Sequence, residues 1–140
     1  MLNIHATLVS YQNKGILIIG KSGSGKSDLA LRMIMGYNAK LVADDRVILE
    51  NDENTLLGYA PDILANKLEV RGLGITEIPA LRKEKILLCV ELCEDRKDVE
   101  RLPELEYIDF LGISIAKIKL YPFDCSTIYK ILLKICSIIS

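Results

Sequence analysis

The stretch Ile16–Ser27, ILIIGKSGSGKS, determines the predicted fold, because a short apolar run leads directly into a glycine-rich loop. The loop from Gly20 to Ser27 fills every fixed position of the spacing G-x-x-x-x-G-K-[ST]. Its glycines let the backbone turn tightly and direct N–H groups at phosphate oxygens. A strand-like run before the loop and a helix-like run after it are the context in which such a loop binds phosphate. The sequence therefore predicts a P-loop in an α/β fold.

Two side chains of this loop have specific chemical uses. Lys26 is a point charge that can reach the β- and γ-phosphates, and the Ser27 hydroxyl can ligate Mg²⁺. The helix that starts near Asp28 adds the positive end of its dipole. A flexible turn would need neither the lysine nor the serine, so we interpret the loop as a nucleotide site. The residues predicted to hold the nucleotide are Gly20, Lys21, Ser22, Gly23, Ser24, Gly25, Lys26 and Ser27.

The length and charge of the chain narrow its class. The 140 residues suit one domain, residues 1–140, with a substantial core, and 50% of them are hydrophobic. The formal net charge of −1 provides no basic field for nucleic acid. The P-loop is therefore expected to bind a nucleotide rather than a polynucleotide.

The cysteines and the apolar tracts indicate a cytoplasmic protein. The cysteine spacing fits no common zinc pattern, and cysteines within apolar runs are most often buried hydrophobes in a reducing compartment. Residues 1–10 lack the basic segment of a signal peptide. The most apolar tract, residues 128–139, is too short and too charged to cross a bilayer, so no membrane association is expected. The four cysteines are Cys89, Cys93, Cys125 and Cys136.

Hydrophobic periodicity predicts a mixed sheet with few helices. One helix is expected over Asp28–Met35, ending at Gly36, and an amphipathic helix over Thr127–Ile139 is expected to pack on the sheet. Two short strands are expected around Gly112. The other predicted strands are Leu2–Val9, Ile16–Ile19, Leu41–Ala43, Arg46–Glu50, Thr55–Tyr59, Leu68–Gly74 and Lys85–Leu92.

Adjacent carboxylates end the strand that follows the P-loop helix. A carboxylate at such a strand end can hold Mg²⁺ or accept a proton from the attacking group. Because neighbouring side chains on a strand point to opposite faces, one of Asp44 and Asp45 can face the site while the other does not. His5, the only histidine, is either a half-buried strand residue or a group that orients a carboxylate.

Glu69 and Arg71 alternate on one predicted strand and are expected to face the same side. They can form an exposed pair of little energetic value, or they can serve as a metal ligand and a phosphate clamp. Gly72 and Gly74 follow directly, which indicates a backbone that another group approaches closely. Arg101 lies in a charged segment that by itself indicates only a solvated surface.

Four segments together resemble the catalytic domain of HPr kinase/phosphorylase in their order and spacing. They are His5-Ala6, the P-loop, Leu41–Val47 and Leu68–Ile75. The last two are not general features of P-loop proteins, so the resemblance is specific. It is close from His5 to Ile75 and looser toward the C-terminus.

This resemblance implies a function. Members of the family transfer a phosphoryl group from a nucleotide to a serine of HPr, the small phosphocarrier protein of the sugar phosphotransferase system. The implied cofactors are ATP, with GTP as the alternative, and Mg²⁺, and the implied partner is an HPr-like phosphocarrier. The implied fold is similar to that of phosphoenolpyruvate carboxykinase. The family is typically hexameric, so a homo-oligomer is expected. The C-terminal helices that form the family's oligomer contacts look shortened in this chain, which makes a smaller assembly than a hexamer the alternative.

The resemblance also assigns roles to individual residues. It implies that Asp45 is the base that takes the serine proton and that His5 holds or tunes it. Whether Asp44 shares the base or metal role stays open. The remaining implied roles are phosphate contact for Lys26, Mg²⁺ ligation for Ser27 and Glu69, and catalytic positions for Arg71, in the signature strand, and Arg101.

Two departures from the family limit what the resemblance implies. The chain starts almost at the catalytic core, so the expected form is a short one without the family's separate N-terminal domain. An Arg-Pro-Gly-Arg-Asn-like loop, where phosphorylase activity is thought to reside, is replaced by Tyr121–Cys125. Phosphorylase activity is therefore not carried over to this chain.

The leading interpretation is a Mg²⁺-dependent protein-serine kinase of the HPr kinase type. A small-molecule kinase is one alternative, although 140 residues leave little room for a lid and an acceptor-binding segment. A nucleotide-sensing module without turnover is the other. The presence of His5, Asp45 and Glu69 argues against such a degenerate site.

Overall fold

The computed structural model describes residues 1–139 and contains eleven strands and two α-helices in that range. The helices are α1 (Lys26–Tyr37) and α2 (Thr127–Ser137), and short 3₁₀ turns cover Asp62–Leu64 and Arg96–Asp98. The strands are β1 (Leu2–His5), β2 (Thr7–Tyr11), β3 (Lys14–Ile19), β4 (Lys40–Ala43), β5 (Arg46–Asp52), β6 (Thr55–Tyr59), β7 (Lys67–Val70), β8 (Gly74–Glu77), β9 (Glu84–Leu92), β10 (Glu106–Phe110) and β11 (Ile113–Leu120). The predicted α/β class with more strands than helices is confirmed.

Nine strands form one mixed sheet in the order β1-β5-β6-β9-β3-β2-β4, with β11 also paired to β9 and β10 to β11. β9 is parallel to both β3 and β11, whereas β2 is antiparallel to β3 and to β4. The C-terminal ends of β4, β3, β9 and β11 and the N-terminal end of β2 therefore meet at one edge of the sheet. This edge carries the P-loop.

Each face of the sheet buries its own apolar cluster, because side chains alternate along a strand. Ile16 and Ile18 of β3 face α1 and α2, where Leu29 and Ile131 are fully buried. Leu17 of β3 belongs to the cluster on the opposite face. The amphipathic stripe of the C-terminal helix thus packs on the sheet as predicted. Among residues 1–139, no helix is long and apolar enough to span a membrane.

The structure corrects two predicted boundaries near the P-loop. The apolar run Leu2–Val9 is two strands, because the chain breaks at Ala6 and the two parts pair with different neighbours. Helix α1 begins at Lys26 and runs past Gly36, so the predicted stop at Gly36 is wrong. Asn38 ends the helix instead, in the left-handed conformation (φ 61°) that asparagine tolerates.

The predicted strand Leu68–Gly74 is a hairpin of β7 and β8. Gly72 and Gly74 have φ of 93° and 94°, conformations that favour glycine and turn the chain back. Because β7 ends at Val70, Arg71 lies in the turn. The prediction that Glu69 and Arg71 share one strand face is therefore wrong.

Two of the four cysteine thiols are buried and two are exposed, and this difference predicts how fast each reacts with an alkylating reagent. Burial raises the pKa of the Cys89 thiol to about 12 and also raises the pKa of Cys93. Since the thiolate is the reactive form, both should resist alkylation in the folded protein. Cys125 and Cys136 are exposed.

We expect brief iodoacetamide treatment at neutral pH, followed by mass spectrometry, to label Cys125 and Cys136 in the native protein and all four cysteines in denaturant. Rapid native labelling of Cys89 would contradict its burial in the sheet.

Candidate active site

The P-loop joins β3 to α1 and leaves the first turn of the helix open to a ligand. Gly25 is the N-cap residue of α1, with φ of 101°, and no side chain caps the helix. The first backbone N–H groups of a helix have no intrahelical partner, and the helix dipole makes that end positive. An uncapped first turn beside a glycine-rich loop is suited to a phosphate group.

Lys26 is folded into the loop that precedes it. Its ammonium donates hydrogen bonds to the backbone carbonyls of Gly20 and Lys21, each at 2.9 Å, and the residue is only 6% exposed. Burial lowers the pKa of Lys26, while the negative charges of Asp44 and Asp45 oppose this shift. The lysine thus contributes a positive charge between the loop and the carboxylates.

Asp44 is the centre of the hydrogen-bond network in the site. Its carboxylate accepts hydrogen bonds from Thr7 Oγ1 at 2.8 Å and from Ser27 Oγ at 2.8 and 3.0 Å. The backbone N–H of Glu69 donates to Asp44 Oδ2 at 3.1 Å. Asp44 is 3% exposed, so its carboxylate is shielded from bulk water. The carboxylate connects the P-loop, β2, β4 and the β7–β8 hairpin.

Asp45 points away from this network toward His5. It adopts a left-handed backbone conformation (φ 72°), and its side chain is 62% exposed. His5 Nε2 lies 3.3 Å from Asp45 Oδ1. The two adjacent carboxylates are therefore separated, one buried against the P-loop and one at the surface with the histidine. Both lie in the bend between β4 and β5, so the separation does not arise from alternation along a strand, as was expected.

The other predicted site residues are less closely connected. Glu69 contributes a backbone N–H to Asp44, and its side chain is exposed. Arg71 is exposed in the β7–β8 turn, and Arg101 is exposed between the second 3₁₀ turn and β10. Among the described residues, neither arginine takes part in a side-chain hydrogen bond or salt bridge with the P-loop or the carboxylates.

Thr7 has a role that the sequence did not reveal: its fully buried hydroxyl donates to Asp44. A threonine inside an apolar strand is an ordinary sequence feature, so no local signal marks it. The useful signal is its position, two residues after the only histidine and at the first residue of a strand that begins beside the P-loop.

The oxygen atoms around Ser27 fit a magnesium ion that is shared with a nucleotide. Mg²⁺ is usually bound through one or two protein oxygens together with phosphate oxygens and waters. Ser27 Oγ supplies one such oxygen, and the Asp44 carboxylate fixes it by accepting its hydrogen bond. Within residues 1–139, no cluster of three or more His, Cys, Asp or Glu side chains forms an all-protein metal cage.

Comparison with known proteins gives the family. The model of the HPr Serine kinase C-terminal domain matches residues 1–132. The chain belongs to this HPr kinase family. It is 40% identical over 126 residues to HPr kinase/phosphorylase of Bacillus velezensis and 38% identical over 127 residues to that of Clostridium acetobutylicum. The resemblance seen in the sequence is confirmed.

The chain spans less than half the length of these two HPr kinase/phosphorylases. The match covers 82% and 84% of this chain but only 40% and 41% of the two relatives. The fold is also that of a solved structure, the Hpr(Ser) kinase/phosphatase from Coxiella burnetii. That protein has a TM-score of 0.84 and 24% identity, and the match covers 96% of this chain and 95% of the other. The common fold thus extends over nearly the whole chain.

Proposed function

We propose that this member of the HPr kinase family is a nucleotide-dependent protein-serine kinase acting on an HPr-like phosphocarrier. One arrangement carries the proposal: Lys26 and Ser27 of the P-loop lie beside a buried aspartate and an exposed aspartate–histidine pair. The first group can hold phosphates, and the second can accept a proton from an incoming hydroxyl. Family membership supports the choice of a protein serine as acceptor.

The P-loop is the proposed phosphate site for ATP, or for GTP as an alternative. Its backbone N–H groups and the N-terminus of α1 face the phosphates, and Lys26 neutralises charge that develops during transfer. The charged lysine is buried at some cost, as the lowered pKa indicates. Binding an anion would offset that cost.

The proposed magnesium ligand on the protein is Ser27, with Asp44 orienting it. The hydrogen bonds from Ser27 to both Asp44 oxygens fix the hydroxyl and place a negative charge beside it. When bound, Mg²⁺ neutralises the β- and γ-phosphate oxygens. Glu69 is the second proposed ligand, since its backbone already contacts Asp44 and its side chain is free to turn toward the site.

Asp45 is the proposed general base. It is exposed to an incoming acceptor, and His5 at 3.3 Å holds its orientation. A carboxylate of ordinary acidity can do this work, because it need only orient the serine hydroxyl and take its proton late. Arg71 and Arg101 lie on exposed segments, where we propose that they contact the transferred phosphate or the acceptor. Residues 1–140 are proposed to act as one catalytic domain, and a homo-oligomer stays a prediction.

The test is phosphoryl transfer from γ-labelled ATP, with Mg²⁺, to a purified HPr phosphocarrier and to its Ser→Ala variant. We expect label on the wild-type carrier only. Lys26→Met should abolish labelling, because it removes the charge proposed to neutralise the phosphates. It also leaves the Gly20 and Lys21 carbonyls without their donor, so circular dichroism checks that the variant keeps the native fold.

Absence of label on either carrier, with ATP still bound, would contradict the kinase assignment and favour a nucleotide-sensing module. Equal label on both carriers would show that the serine is not the acceptor.

A further inference from the structure

The loop that follows β11 places an exposed aromatic ring beside the P-loop. Phe123 lies so close to Gly25 that a Cβ at residue 25 would be 3.0 Å from Phe123 Cζ. Phe123 is nevertheless 57% exposed. It lies in the segment Tyr121–Cys125 between β11 and α2. The phosphate-binding role of the P-loop does not by itself require an aromatic residue there.

Several contacts hold this loop in place. The rings of Tyr121 and Phe123 pack edge to face at 5.6 Å. Arg32 of α1 donates from Nη2 to the backbone carbonyl of Pro122 at 2.7 Å. Arg96 forms a salt bridge with Asp124 at 2.6 Å and lies 5.0 Å from the Tyr121 ring centroid. The exposed ring is therefore supported by α1 and by the segment after β9.

The order of strands fixes which part of a nucleotide can reach this ring. Along the edge that carries the site, the strands follow the order β4, β2, β3, β9 and β11. Asp44 and Asp45 follow β4 on one side of the P-loop, and Phe123 follows β11 on the other. Lys21 Nζ of the P-loop lies 3.4 Å from Oε1 of Glu94, two residues after the end of β9. The P-loop therefore also contacts the β9 side of the site.

The γ-phosphate must lie on the Asp45 side, because that is where the proposed base meets the acceptor. The phosphates occupy the P-loop, so the nucleoside leaves the loop on the opposite side. That side is the one with Phe123. An exposed aromatic ring at this position has the chemistry to stack on a nucleobase.

We propose that Phe123 is the stacking platform for the base of the bound nucleotide. The proposal rests on the nucleotide-binding part of the proposed function. Stacking on an aromatic ring tolerates different bases, because every base has a π-face. The platform therefore takes a nucleoside triphosphate without strong discrimination between ATP and GTP.

The experiment compares ligands with and without a base. Dissociation constants for Mg–ATP, Mg–GTP and Mg–tripolyphosphate are measured by calorimetry on the wild type, Phe123→Ala and Phe123→Tyr. We expect Phe123→Ala to raise the dissociation constants for Mg–ATP and Mg–GTP by about tenfold and to leave that for Mg–tripolyphosphate unchanged. Phe123→Tyr should retain wild-type affinity because the ring is kept. Tyr107→Ala is a matched control, since it removes another exposed aromatic residue, on β10.

Equal weakening of tripolyphosphate and ATP would overturn the platform, because Phe123 would then only support the P-loop. Unchanged ATP affinity in Phe123→Ala would overturn it as well. The wild-type protein can fail to phosphorylate a carrier while Phe123→Ala still weakens ATP binding and leaves tripolyphosphate binding unchanged. That result would contradict the kinase function but not the stacking platform.

Discussion

Replacing Asp45 with asparagine is expected to lower phosphoryl transfer by about 10²–10⁴-fold, the range typical of a lost general base. The amide can still accept a hydrogen bond from the serine hydroxyl, but it cannot take the proton. Asparagine tolerates the left-handed conformation at this position (φ 72°), and the side chain is exposed, so the fold should be unaffected. Single-turnover transfer to the carrier measures the rate.

Nucleotide binding separates this role from a general disturbance of the site. Because Asp45 does not contact Ser27, the affinity of the Asp45→Asn variant for Mg–ATP should stay within about twofold of the wild-type value. His5→Ala should reduce the rate less, since it removes the group that orients the base rather than the base itself. A variant that transfers phosphate at the normal rate would show that Asp45 is not the base.

The fold was predictable where local patterns determine it. The P-loop motif, the apolar run of β9 and the stripe of α2 each specify an element without help from distant residues. The break at Ala6 was not predictable, because Leu2–Val9 has the pattern of one strand. The break arises because β1 pairs with β5 whereas β2 pairs with β3 and β4, and the choice of partner is a long-range property.

The site was predictable in its components but not in its organisation. Adjacent carboxylates suggested that one would face the P-loop, yet sequence could not say that Asp44 is the one that does. That distinction depends on Thr7 and on the backbone of Glu69, which lie 37 and 25 residues away along the chain. The roles of Arg71 and Arg101 stay predictions, since both side chains are exposed.

The buried position of Asp44 leads to the second prediction, which concerns stability. Asp44→Ala removes the acceptor for Thr7 Oγ1, Ser27 Oγ and the Glu69 backbone N–H. A buried donor left without an acceptor costs about 1–3 kcal/mol. Thr7 is fully buried, so its hydroxyl loses its acceptor without gaining access to water, and the Ser27 hydroxyl and the Glu69 N–H lose theirs as well; we expect the free energy of unfolding to fall by about 3 kcal/mol. Urea denaturation measures this change.

The neighbouring aspartate provides the control, because the same substitution has opposite consequences at the two positions. Asp44→Asn keeps the shape of the side chain, but its amide nitrogen would face a hydroxyl or the Glu69 N–H, so stability should fall by an intermediate amount. Asp45→Asn should leave stability unchanged and lower transfer by the factor given above. If Asp44→Ala unfolded at the wild-type urea concentration, the carboxylate would not hold the P-loop, β2 and the β7–β8 hairpin together. The division of labour between a structural aspartate and a catalytic one would then be wrong.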